Sequence, residues 1–305
     1  MELFAGRSHP APAAVSAELR ALAGALSPRL RLGTSSWSFP GWAGTVWAHP
    51  LGAELLAREG LPAYAAHPML RIVSVDRSYY GPVAAATWAR YAQQAPAGFR
   101  FSVKAPQRLT SPLAPDGSPN ADFLSAGLAE DVLGPILEHL GDRLDAWHLQ
   151  VPPGPAPPNG LTRLAELLGA LPTTARLAVE PRDRSWLGPA YREVLAGAGA
   201  VHVLSVHPAI PELREQWVEA GVATGGRLHV RWNLAPGLTY RDAKARWAPF
   251  SEMARPDLAT RDRLAKACRW ALARDWDVTV IANNKAEGCA PATLMALAEA
   301  IAEGP

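Results

Sequence analysis

Cysteine is almost absent from this chain of 305 residues; Cys268 and Cys289 are the only two. Two thiols so far apart form neither a disulfide framework nor a zinc-ligand spacing. They read as free thiols in a reducing, cytoplasmic compartment. Long apolar runs are missing as well, which excludes a membrane-spanning segment. The first residues carry Glu2 and Arg7 and lack a continuous apolar core, so no signal peptide is expected. Neither sign of charge dominates, since 30 Lys and Arg face 28 Asp and Glu for a net charge of +2. Nothing therefore draws the whole chain to nucleic acid or to a membrane, and any basic footprint has to be local. No glycine-rich phosphate loop opens a helix, and no nucleophile elbow occurs. Dinucleotide, Walker-type and elbow-serine chemistry are thereby excluded.

What is present is a large apolar fraction, 49% of residues, with only 19% charged. That is ample for a substantial core. Eight short strand-like runs can be counted: Leu30–Ser36, Arg71–Asp76, Phe99–Lys104, Ala146–Val151, Arg176–Glu180, Val201–Val206, Arg227–Trp232 and Asp277–Ala282. Ala/Leu-rich segments with helical spacing follow each of them, the last at 291–302. Strand and helix alternating eight times predict a single (β/α)8 TIM barrel over 30–305. Residues 1–29 then form an N-terminal extension with a helix from about Ala14 to Leu26. A doubly wound open sheet is the alternative. Three long connections, 105–122, 152–160 and 233–257, all follow strands, where binding loops and lids are usually found.

Side chains alternate along a strand. Placing the apolar partners outward turns one set of polar residues toward the barrel axis. The set is Ser74 and Asp76, Ser102 and Lys104, His148 and Gln150, Glu180 and Arg182, Ser205 and His207, His229 and Arg231 with Asn233, and Thr279 with Asn283. Such convergence predicts a polar site at the C-terminal mouth, where barrels of this kind carry their chemistry. The richest stretch is Val179 to Trp186, which runs from an apolar strand straight into Glu180, Arg182, Asp183 and Arg184. Charges delivered there must be paired or must meet a ligand.

In order and spacing, seven stretches resemble the YecE-like family, domain of unknown function family seventy-two. They are Gly33–Trp37, Asp76–Tyr80, Phe101–Lys104, Gln150–Pro153, Glu180–Trp186, Val230–Arg231, and Asn283–Asn284 followed by Ala290–Pro291. The resemblance covers nearly all of the chain after residue 30 and implies a TIM barrel. It implies no activity. It also marks departures. The family pattern has a glutamate where Ser74 stands, a histidine at Ser111 and His-Gly at Trp232–Asn233. It has a carboxylate near the end of the sixth strand, where this chain has Ser205 and His207. Each departure removes a candidate acid/base group.

Together these readings predict a metal-independent enzyme acting on a small anionic or hydroxylated ligand, possessing hydrolase- or lyase-type chemistry if active. Glu180 is the expected acid/base group, and Lys104 and Arg231 the anion clamp. Gln150 and Asn283 are the expected orienting donors, with Tyr79, Arg182, Asn284, Asp76 and His207 also touching substrate. No cofactor is expected; a divalent metal would need Asp76, Glu180 and His207 to converge. Two other classes stay open. One is nucleic-acid binding or phosphodiester cleavage through the interleaved segment Tyr240–Trp247. The other is a degenerate barrel that binds without catalysing, whose mark would be a mouth filled by its own side chains. The oligomeric state is not legible.

Overall fold

The computed structural model describes residues 9–304, so Glu2 and Arg7 lie outside it. Its strands are β1 (Leu30–Thr34), β2 (Leu70–Val75), β3 (Arg100–Lys104), β4 (Leu144–Val151), β5 (Leu177–Pro181), β6 (Val201–Val206), β7 (Arg227–Trp232) and β8 (Asp277–Ala282). They close in chain order into one parallel barrel, with Leu30 to Thr34 of β1 laddered on Val278 to Ala282 of β8. That ladder leaves no open edge, so the fold is the (β/α)8 barrel and the open-sheet alternative is wrong.

Helices return the chain between successive strands, from Ala85–Gln94 after β2 to Ala290–Ala302 after β8. Side-chain oxygens cap several N-termini, where the first backbone N–H groups lack helical partners. Ser125 accepts from the Leu128 N–H and Asp257 from the Thr260 N–H. The N-terminal helix runs Ala17–Ala25, later than its expected start at Ala14, because Ser16 takes the cap and accepts from the Leu19 N–H. No helix among the described residues is long and apolar enough to cross a membrane.

The alternation expected along the strands holds. Val73, Phe101, Trp147, Leu149, Val179, Leu204, Val230 and Val280 are buried in the apolar layer between strands and helices. The barrel interior has a different character. Ala146, Ala178, Val201 and Val203 form a small apolar layer of their own. A charged floor closes the N-terminal end. Arg31 reaches Asp145 at 3.3 Å and Asp277 at 3.4 Å, and Arg176 holds the other Asp277 oxygen at 3.0 Å. The Thr279 hydroxyl donates to Asp145 at 2.8 Å, and Arg227 donates to the Leu177 carbonyl.

Four strand starts differ from the sequence reading, those of β2 and β3 by one residue, and the other two bear on this floor. β4 begins at Leu144 instead of Ala146, because an irregularity in the β3–β4 pairing sets Leu144 beside Phe101 and Ala146 beside Ser102. Asp145 thereby joins the floor. Arg176 is not in β5; its backbone is left-handed, with φ 50°, and it ends the preceding turn.

Gly33 sits where the β1–β2 register shifts, and a Cβ there would lie 2.0 Å from the Ile72 carbonyl oxygen. Packed backbone cannot yield that much cheaply. Gly33→Ala should lower stability by about 3 kcal/mol, seen as a lower urea midpoint at constant slope. An unchanged midpoint would show that the β1–β2 ladder yields more readily than close packing allows.

Candidate active site at the barrel mouth

The cluster at the C-terminal end grows from short-range geometry. At the end of β2 the chain turns through Asp76–Tyr79, and Ser78 donates to the Val75 and Lys104 carbonyls at 2.9 and 2.6 Å. One hydroxyl thus pins the end of β2 to the end of β3. Beyond β5 the Arg182 N–H continues the ladder to the Val151 carbonyl at 3.2 Å, which keeps the Arg182 side chain on the same inward face as Glu180.

Glu180 is 0% exposed and stands at the centre. Its Oε1 accepts from Arg182 Nε at 3.1 Å, from the Ser205 hydroxyl at 2.9 Å and from Asn233 Nδ2 at 3.4 Å. Its Oε2 lies 2.8 Å from His148 Nε2 and 3.8 Å from Arg231 Nε. The histidine contact is close but does not meet hydrogen-bond geometry. Burial alone would push the Glu180 carboxyl up, but Arg182, His148 and Arg231 together hold it well below the usual range. It is therefore a fixed anion.

Arg231, 2% exposed, binds Asp76 through both terminal nitrogens, at 3.2 and 2.9 Å. Its Nη1 also donates to the Ser74 hydroxyl and to His148 Nδ1, and Nε donates to Asn233 Oδ1. Accepting at Nδ1 fixes the neutral His148 tautomer, with its proton on the Nε2 that faces Glu180. Burial pushes the His148 imidazole down to about 4. Asp76 is held low by Arg231 and Lys104 against the opposing effect of burial, and Ser74 donates to it at 2.6 Å.

Lys104 differs from its neighbours. It is 6% exposed, yet among the described residues its Nζ has no hydrogen-bond acceptor and no carboxylate within ion-pair distance. Its Nζ lies over the face of the Tyr79 ring, 3.8 Å from the centroid. Burial brings the amine down to about 8, with Asp76 only partly opposing. Arg182 is the other cation with spare donors. Only its Nε meets a carboxylate, and the Tyr240 hydroxyl neighbours the rest of the guanidinium. Gln150 Oε1 and the Ser102 hydroxyl are buried without partners.

Of the residues expected from sequence, the fold brings together Asp76, Tyr79, Lys104, Gln150, Glu180, Arg182 and Arg231. His207 reaches the rim, half-buried beside the Tyr240 ring, and burial takes its imidazole down to about 4. Asn283 also reaches the rim but is engaged in a turn, accepting from the Lys285 N–H and donating to the Ser35 hydroxyl. Asn284 points away; its side-chain oxygen accepts from the Trp42 indole and the Ala290 N–H. Arg231, expected to clamp an anion, is engaged by the protein's own groups through all three of its nitrogens. Sequence reasoning missed Lys285, whose Nζ lies 5.3 Å from the Tyr240 ring centroid. The run Asn283–Asn284–Lys285 held the signal, but only the loop's turn brings the third residue to the rim.

A groove of about 870 Å³ opens beside this cluster instead of over it, lined by Tyr79, Tyr80, Trp88, Arg108, Ser111 and Ile136 among others. Tyr79 is the shared wall, with Lys104 on its face. The groove holds none of the buried charges of the mouth. No three His, Cys, Asp or Glu side chains among the described residues gather as a metal site.

Comparison with known proteins adds the lineage. A family model described as a protein of unknown function, DUF72, matches residues 31–305. A solved DUF72 family protein from Enterococcus faecalis superposes with a TM-score of 0.64 at 19% identity, covering 90% of this chain and 96% of that chain. Another, from Thermotoga maritima, gives 0.64 at 22% identity, covering 90% and 99%. At such identities the likeness speaks for the fold alone. No curated protein matches.

Two outcomes are expected. Glu180→Gln leaves Arg182 and Arg231 short of a buried counter-charge and should cost roughly 3 kcal/mol in denaturant unfolding; a loss below about 1 kcal/mol would mean that the cluster carries no coupled charge. Stability should also fall as the pH drops below the usual histidine range. His67, His148 and His202 are each held neutral by burial, near 4. The unfolded chain therefore takes up protons first, at about 6.5, and stability rises with pH between those values. Urea midpoints that stay level from neutral pH to about 5 would overturn this.

Proposed function

Because the chain belongs to the DUF72 family, whose description names no activity, we propose from the mouth itself that it is an enzyme acting on a small anionic substrate. One observation carries the reading: the mouth offers more cationic donors than its own carboxylates engage. Asp76 and Glu180 are met by Arg231 and by Arg182 Nε, while Lys104 and the terminal nitrogens of Arg182 stay free of ion pairs. A carboxylate or phosphate entering above Glu180 finds a point charge on one side and a planar fork on the other.

In this reading Lys104 moves the proton or attacks, since its amine, near 8, alternates between charged and neutral forms close to working pH. Glu180 is a positioning anion that aligns Arg182 and His148. Gln150 supplies an acceptor for a hydroxyl. The reading assigns no metal, because Arg, Ser and Asn donors already approach the carboxylate oxygens.

The near-complete enclosure of Glu180, Arg231 and Lys104 favours a second reading, a barrel that binds without turning over. The nucleic-acid alternative has less support. The Tyr240–Trp247 helix exposes Arg241, Lys244 and Arg246, but the Tyr240 ring lies tilted against His207, with centroids 5.8 Å apart.

Inorganic phosphate tests the anion site. It should raise the melting temperature of the wild type beyond the effect of chloride at equal ionic strength. Lys104→Met should weaken that binding roughly tenfold, about 1.4 kcal/mol. Equal stabilisation of both proteins would remove Lys104 from the site.

A further inference from the structure

Only four of the 30 cationic residues are lysines: Lys104, Lys244, Lys266 and Lys285. Every other inward cation, in the floor and at the mouth alike, is arginine. Where a buried charge has only to hold a carboxylate, the guanidinium is the better group. At the end of β3 the chain presents a different nitrogen. It can lose its proton and attack carbon, and it stands without a carboxylate partner.

We propose that Lys104 is a covalent amine, which condenses with the aldehyde or ketone carbonyl of a small 2-oxo acid to form an imine. The inference rests on the anion-binding reading of the mouth and names the substrate class for it. The neutral Nζ adds to the carbonyl carbon, a C–N bond forms, and the carbonyl oxygen takes up a proton. The resulting carbinolamine then loses its C–O bond: its hydroxyl takes up a proton from solvent and leaves as water, the nitrogen keeps its remaining proton, and no oxidant or reductant is needed. The protonated imine draws electrons from the adjacent carbon, so a bond there can break.

The surroundings suit each part. Tyr79 packs against the amine at 3.8 Å without competing for its lone pair as a carboxylate would. Ser102, two residues earlier on the same face, has a buried hydroxyl without a partner. Arg182 offers its terminal nitrogens to the substrate carboxylate. Burial next to other cations also eases loss of the amine proton, the usual way a lysine becomes nucleophilic. Lys285 is the internal control, half-buried between the Tyr240 and Phe250 rings at 5.3 and 5.5 Å. Lys244 is exposed, and Lys266 is exposed and paired with Asp262 at 2.8 Å.

The test is reductive trapping of the full chain with glyoxylate and cyanoborohydride, read by peptide mass spectrometry. The adduct should fall on Lys104 in at least roughly tenfold preference to Lys244, Lys266 and Lys285, at a rate rising through about pH 8. Lys104→Arg should lose the adduct. Even labelling of the four lysines, or preference for Lys285, overturns the proposal, and the wild-type map alone decides this if the variant fails to fold. Glyoxylate that stabilises the protein without trapping refutes the imine but leaves the anion site standing. Failure of both phosphate and glyoxylate to bind or react removes the two together.

Discussion

The mouth depends on a single guanidinium. Arg231 lies on the barrel axis between Asp76 and Glu180, bidentate to the first and 3.8 Å from the second. It also fixes the His148 tautomer and holds the Ser74 hydroxyl and the Asn233 amide. One cation at this depth cannot be neutral and cannot be left unpaired. Four strands of the barrel therefore have to present acceptors to it. The same constraint occupies Arg231 with the protein's own groups.

The departures from the family pattern take on a meaning in this light. Ser74 and Ser205 stand where the resemblance led one to expect carboxylates, and Asn233 follows Trp232, which stands where it led one to expect a histidine. Here all three donate hydrogen bonds to the remaining carboxylates or stand within that network. Neutral donors thus surround Asp76 and Glu180, whose charged forms are held by Arg231, Lys104 and Arg182. Ser111, the fourth departure, lies in the wall of the side groove.

The barrel was legible in the sequence because its signals are local and repeated: apolar strands, amphipathic helices and a two-residue alternation. That alternation also placed Lys104, Glu180, Arg182 and Arg231 on the axis. What it could not give was the pairing among them. Whether Arg231 or Lys104 would neutralise Asp76 depends on reach across the barrel, and parity carries no information about reach. The floor was missed for a related reason. Asp145 and Arg176 flank strand starts, where a charge looks like the end of a loop, and only closure of the barrel brings them face to face.

The floor and the mouth have the same charge composition. Arg31, Arg176 and Arg227 stand with Asp145 and Asp277 below, and Lys104, Arg182 and Arg231 with Asp76 and Glu180 above. Between these two cation-rich poles the rings of His148 and His229 lie 6.2 Å apart, nearly parallel and both held neutral, chiefly by burial. Imidazoles so placed cannot store a proton. The two charged ends of the barrel are consequently divided by an uncharged layer.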